Sequence, residues 1–117
     1  MLLRVDPAST VPLFEQLAAS IRMDASLGTL RVGERLPAAR DVAASLDVNV
    51  HTVLRAYQLL REEGLVDLRP GRGAVVTERA ANYGELGEAI PRLVERAKEL
   101  GVSVHALTAM IRQEYTS

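Results

Sequence analysis

Arg55 and Arg61 stand in a stretch, residues 48–61, that contains no acid, and Arg69 and Arg72 stand in a second, residues 68–77, that contains none either. Asn49, His51 and Thr52 lie just before Arg55, while Gly71 and Gly73 bracket Arg72. Guanidinium groups on locally acid-free surface, with small amide, hydroxyl and imidazole groups beside them, suit contact with phosphates and base edges. An arginine can donate two parallel bonds to guanine O6 and N7, and glycines let a backbone approach a phosphate or a narrow minor groove. No catalytic assembly competes with this. The chain has no cysteine, and its two histidines, His51 and His105, are distant from each other, have no ligand spacing and belong to no nucleophile–base motif. Disulfides, thiol chemistry, a metal site and a nucleophile–base pair are therefore not expected, and neither is any cofactor.

Such side chains need elements to hold them. From Val11 to Ala25, Leu13, Phe14, Leu17, Ala18 and Ile21 recur at three- and four-residue steps, the period of one helix face. Pro12 suits its first turn, and Gly28 ends it. Thr29–Pro37 reads as a turn-rich connector with a short extended piece at Arg35-Leu36. Ala38–Leu46 places Val42, Ala43 and Leu46 on one face of a second helix. Asp47-Val48-Asn49 makes a tight turn in which Asn49 is a favoured N-cap. The third helix, Val50–Glu63, presents Val53, Leu54, Ala56, Tyr57 and Leu60 as its apolar face up to Gly64. Two helices so joined form a helix-turn-helix, whose second helix enters the major groove by its N-terminal residues. Leu65–Leu68 and Ala74–Thr77 are β-prone on either side of Arg69-Pro70-Gly71-Arg72-Gly73, so a small hairpin, a wing, follows.

Past Arg79 the composition changes at Ala80-Ala81-Asn82-Tyr83-Gly84, which places a boundary between residues 1–79 and a tail of residues 80–117. Leu86, Ile90, Leu93, Ala97 and Leu100 make a stripe like the seam of a helix pair. Pro91 lies inside it, so the helix either kinks there or begins near Ile90. Ser103 can cap a last helix with Val104, Leu107, Ile111 and Tyr115 on one side. The predicted fold is mainly α with a small β-hairpin: a winged helix-turn-helix followed by a two-helix dimerisation tail. Leu86, Ile90, Leu93, Ala97, Leu100, Leu107 and Ile111 are the expected dimer contacts.

At 117 residues, 48% apolar and 25% charged, the chain has the size and composition of one small soluble domain with an appendage. It has no apolar run long enough to span a bilayer, and its first residues lack the order of a signal peptide, so a cytoplasmic location without membrane contact is expected. A net charge of −1 is unusual for a nucleic-acid binder. Residues 1–79 hold ten arginines against ten acids, so positive charge acts only where it is clustered. Such a head gains from being doubled in a homodimer.

The strings PLFEQLAASIR, GTLRVGERLPAARDVAASLDV and HTVLRAYQLLREEGLVDLRPGRGAVV resemble the N-terminal domain of the GntR family of bacterial transcription factors, over about residues 11–77. The tail AKELGVSVHALTAMIRQEY is similar to the short two-helix tail of the YtrA subfamily. That resemblance implies double-stranded DNA as partner and a homodimer on a near-palindromic operator; the foremost functional reading is a repressor, released when a small-molecule ligand or a partner shifts the separation of its two heads. It also carries Arg40 over as a DNA contact. Ala38-Ala39 stands where the family commonly has a helix cap, and Asp47 where it often has glycine. Val50 and Leu54 are apolar where many members outside the subfamily carry arginine.

The expected DNA contacts are therefore Arg40, Asn49, His51, Thr52, Arg55, Arg69, Gly71 and Arg72. Arg55 is the foremost base reader, with a phosphate contact as its alternative. Asn49 more simply caps its helix, and Tyr57 belongs to the core with its hydroxyl at the rim. A winged helix that docks proteins is the competing function, but the outward positions Arg55, Gln58, Arg61 and Glu62 are polar, which disfavours it.

Overall fold

The computed structural model describes residues 3–117. Met1 and Leu2, at the head of the expected first domain and of the segment read for a leader, lie outside the described residues. Among the described residues the order is α1 (Leu13–Ser26), α2 (Ala39–Leu46), α3 (Val50–Glu62), β1 (Val66–Arg69), β2 (Gly73–Val76), α4 (Ala80–Glu85), α5 (Ala89–Glu99) and α6 (Val104–Thr116). The mainly α class with a small hairpin is as the sequence predicts. Two compact units divide the chain, one running to Glu85 and one from Leu86 to Ser117.

In the first unit α1, α2 and α3 pack together, with α4 against α1 and β1 against the end of α3. Leu17, Ala18 and Ile21 of α1, Val42 and Ala43 of α2, and Val53, Ala56, Tyr57 and Leu60 of α3 form the core, closed by Leu65, Val66 and Val76. Each large aliphatic side chain buried there contributes about 1.5–3 kcal/mol. Leu54 is the exception to the expected apolar face of α3, being 47% exposed. It follows Val53 by about 100° round the helix, so the setting that buries Val53, Ala56 and Leu60 turns it outward.

Local chemistry fixes the helix starts and stops. Pro12 precedes α1 without any side-chain cap. Gln16 instead folds the leading segment back, accepting from the Asp6 amide and donating to the Asp6 and Val11 carbonyls. Ala38 likewise offers α2 no cap. At the turn Asp47 takes φ 55°, the left-handed setting that aspartate tolerates better than most residues. The Asn49 side-chain oxygen accepts from the His51 amide at 2.8 Å, so the expected N-cap forms.

The wing is held from both sides. β1 and β2 pair antiparallel from Val66↔Val76 to Arg69↔Gly73, and the Arg72 amide returns to the Arg69 carbonyl. With Pro70 second and Gly71 third at φ 75°, this is the composition of a type II turn. The other edge of β2 pairs with the connector: Gly33 donates to Val76, Val76 to Glu34 and Leu36 to Ala74, each at 2.8 Å. The extended piece expected at Arg35-Leu36 is this third edge, with Arg35 bridged to Val75. Tyr57, buried in α3, donates its hydroxyl to the Pro37 carbonyl at 2.6 Å, and burial pushes its phenol up to about 12. The hydroxyl therefore stays a donor through neutral pH.

The expected boundary after Arg79 falls inside the first unit, because α4 is anchored there. Ala80 is buried, and the Tyr83 hydroxyl donates to Glu63 at 2.8 Å. Glu63 also receives the Arg22 guanidinium through three bonds of 2.9 to 3.1 Å. Burial alone would push the Glu63 carboxyl up, but the Arg22 and Tyr83 bonds and the Arg22 charge together hold it below the usual glutamate range. Those bonds tie α1, the end of α3 and α4 into one body.

In the second unit α5 begins at Ala89, two residues before Pro91. First-turn amides have no intrahelical partner, so the proline is accommodated by a helix start and no kink is needed. Leu86 sits on the turn leading in, its carbonyl bonded to the Ile90 amide. Ser103 caps α6 as expected, accepting from the Ala106 amide.

Two outcomes follow. Tyr57→Phe should lower stability by about 1 kcal/mol in urea titration, because the Pro37 carbonyl loses a short bond within a part-buried site. An unchanged midpoint would show that the bond holds nothing. Glu63→Gln should destabilise at pH 7, with the gap from the parent narrowing as pH falls below about 4.3, the ordinary glutamate value. The sign follows from the lowered native pKa, since stability held by a carboxylate is present above its unfolded pKa and lost below its folded one. A gap constant from pH 7 to pH 3 would refute it.

Candidate nucleic-acid interface

Burial of one face of α3 leaves His51, Leu54, Arg55 and Gln58 exposed on the other. Near its N-terminus, Asn49, His51, Thr52 and Arg55 share a shallow recess with Leu13 and Phe14 of α1. No carboxylate lines that recess. The Arg55 guanidinium carbon lies 3.9 Å from the centre of the Phe14 ring, within cation–π range. Of the expected contacts, then, four come together here. Asn49 has its oxygen committed to the helix cap, as the simpler reading held.

The remaining expected contacts lie on α2 and the wing. Arg40 is the second residue of α2 and is exposed. Gly71 and Arg72 line a largely apolar groove with Leu54 and Tyr57 of α3, Leu68 of β1 and Pro37, Ala38 and Ala39. The wing is less positive than its own segment suggests, because Arg69 pairs with Asp67 two residues earlier at 3.3 Å. Both are exposed and the bond is long, so the pair contributes little to stability, but it halves the free charge on the wing. Among the described residues Arg72 has no ion-pair partner.

Phe14 and Leu54 were not singled out as surface chemistry by the sequence, since both match a helical apolar period. Two signals were present. Phe14 lies in the first turn of α1, where an apolar stripe reaches the end of its helix, and Leu54 is the position at the margin of the α3 face.

In the tail unit Leu86, Ile90, Leu93, Leu100 and Ile111 are 42–61% exposed. Leu107 is half-buried. Ala97 alone among the seven expected dimer contacts is buried in the single chain. Among the described residues no group of three or more histidines or carboxylates could hold a metal ion, and no helix is long and apolar enough to cross a membrane.

Comparison with known proteins agrees with this geometry. Residues 13–76 match the family described as bacterial regulatory proteins, gntR family. The HTH-type transcriptional repressor YtrA of Bacillus subtilis is 29% identical over 104 residues, covering 89% of this chain and 79% of that protein. The HTH-type transcriptional regulator Rv1152 of Mycobacterium tuberculosis is 34% identical over 101 residues, covering 86% and 84%. Among solved structures, YtrA from Sulfolobus acidocaldarius, a GntR-family transcription factor, aligns with a TM-score of 0.63 at 28% identity, over 85% of this chain and 99% of that one. With the family matched across the whole winged helix-turn-helix and YtrA-like relatives matched into the tail, the chain belongs to the GntR family of bacterial regulatory proteins and is a DNA-binding transcriptional regulator, not an enzyme.

Proposed function

We propose that the chain is a homodimeric repressor of the YtrA type that binds a near-palindromic operator, each protomer placing α3 in a major groove and its wing against the flanking backbone or minor groove. The observation that carries this is the N-terminal part of the exposed face of α3, acid-free from Val50 to Arg61, on which His51 and Arg55 stand free of any ion pair among the described residues. In this reading Arg55 donates to a guanine edge, and His51 and Thr52 meet a base or phosphate. Arg40 and Arg72 neutralise phosphates, with Gly71 letting the turn come close. Arg69, shared with Asp67, is the weaker wing contact. Repression fits the name of the Bacillus subtilis relative.

The exposed apolar stripe of the tail supports the second copy. Leu86, Ile90, Leu93, Leu100 and Ile111 are each more than 40% exposed, and large apolar side chains gathered open to water on a small unit mark an interaction surface. Two heads on one duplex multiply their modest affinities, as two linked sites do. An effector that changes the separation of the heads would release the operator by differential affinity for the two arrangements.

Binding to a fragment selected from random DNA should weaken steeply with salt. Arg55→Ala should relax preference at one base by about 1–3 kcal/mol. Arg72→Ala should weaken all sequences alike and lower the salt slope by about one unit. Both variants binding like the parent would sink the reading. Leu93→Glu should turn a dimer into a monomer in sedimentation and lower operator affinity at least tenfold while the head keeps its helical spectrum. A parent protein that sediments as a monomer at micromolar concentration would refute the dimer.

A further inference from the structure

The Arg55–Phe14 contact joins a residue of the DNA-facing helix to one that the sequence assigns to the core. Phe14 is only partly buried, so one portion of its ring is left for the guanidinium, whose central carbon is 3.9 Å from the ring centre. The recess around them is lined by Leu13, Asn49, His51 and Thr52 and contains no acid. Arg55 makes no ion pair among the described residues. A guanidinium that rests on a ring engages its face, and its in-plane N–H groups remain available as a two-donor fork.

We infer that Phe14 is a positioning residue for base recognition: the ring presented by α1 holds the Arg55 guanidinium by its face and leaves its N–H fork free for a guanine edge. This rests on the base-reading role proposed for Arg55. A freely swinging arginine must lose side-chain freedom as it settles on a base, whereas one already stacked has lost much of it beforehand. Phe14 therefore sharpens discrimination without touching DNA. Because a phosphate accepts a cation from many directions and a guanine edge from few, loss of the ring weakens base preference more than general DNA affinity.

The test uses the full chain and a duplex selected from random DNA, with each guanine of the half-site replaced in turn by 7-deazaguanine, which lacks N7 but still pairs. The parent should lose affinity at one position, and Arg55→Ala should lose none there. No position-specific loss in the parent, or an equal loss in Arg55→Ala, overturns the base-reading role itself and the inference with it. Given that loss, Phe14→Leu should reduce it about two- to fivefold, the span of an exposed cation–π contact. Phe14→Tyr, which keeps the ring face, should restore it, and affinity for unrelated DNA should be unchanged in both. An undiminished 7-deazaguanine loss in Phe14→Leu overturns the positioning role while leaving Arg55 as a base reader. If Phe14→Leu does not fold, trifluorophenylalanine at position 14 keeps the shape and weakens the ring face. An intermediate loss is then expected, and an undiminished one overturns the inference.

Discussion

Val53, Ala56, Tyr57 and Leu60 are sealed from water against α1, α2 and the start of the wing, and a helix so held has a single rotational setting. From that setting follow the outward directions of His51, Leu54, Arg55 and Gln58. A rotation that freed Leu54 from solvent would expose part of the core at a cost of about 1.5–3 kcal/mol for each large apolar side chain uncovered. The proposed DNA-facing surface is therefore the complement of the core and needs no separate scaffold. Tyr57 serves both sides of that division, packing its ring inside while its hydroxyl fastens the Pro37 carbonyl in the connector that edges the wing.

A wing is useful only if its position relative to α3 is constant, and the junction at Gly64 provides this. Gly64 has φ 85°, and that left-handed conformation calls for glycine, whereas the Arg79 side chain, 2.8 Å from where a Cβ would lie, is flexible and adds little constraint. Thr77, just past β2, donates to the Gly64 and Leu65 carbonyls, closing the hairpin back onto the helix end. One residue before the glycine, Glu63 gathers Arg22 and Tyr83. Helix end, strand return and α4 thus converge within a few residues, and the wing inherits the rigidity of the helical core.

The parts of the fold governed by local rules were legible in the sequence. Asn49 as cap, Asp47 as left-handed turn residue, the glycine stops and the Arg69-Pro70-Gly71-Arg72 turn all rest on backbone preferences within a few residues, and all are present. Helical period also identified the core, except at Leu54, where a face about 100° wide has an uncertain margin, and at the start of α1, where Leu13 and Phe14 are only partly buried. What was not legible depends on residues far apart in the chain. Arg22 meets Glu63 across 41 positions, and Phe14 meets Arg55 across a similar span. Neither partner carries a mark of the other. For the same reason the domain boundary expected after Arg79 falls early: Ala80-Ala81-Asn82-Tyr83-Gly84 reads as a linker until Tyr83 is given Glu63 as an acceptor.

Near-neutral charge shapes how such a molecule can recognise DNA. A protein that binds chiefly by neutralising phosphates loses about 0.9 of a logarithmic unit of affinity per phosphate for each tenfold rise in salt, and discriminates little. With Arg69 tied to Asp67, and with Arg40 and Arg72 as the phosphate-directed cations proposed on each head, a single protomer has few such contacts to draw on. In the proposed reading non-specific binding is therefore weak, and so is retention on unrelated DNA. A larger share of the discrimination then falls, in that reading, to a group that acts by direction, the fork of Arg55. Low charge is consequently compatible with selective binding, provided that the base-facing groups are held in place and two heads act on one duplex.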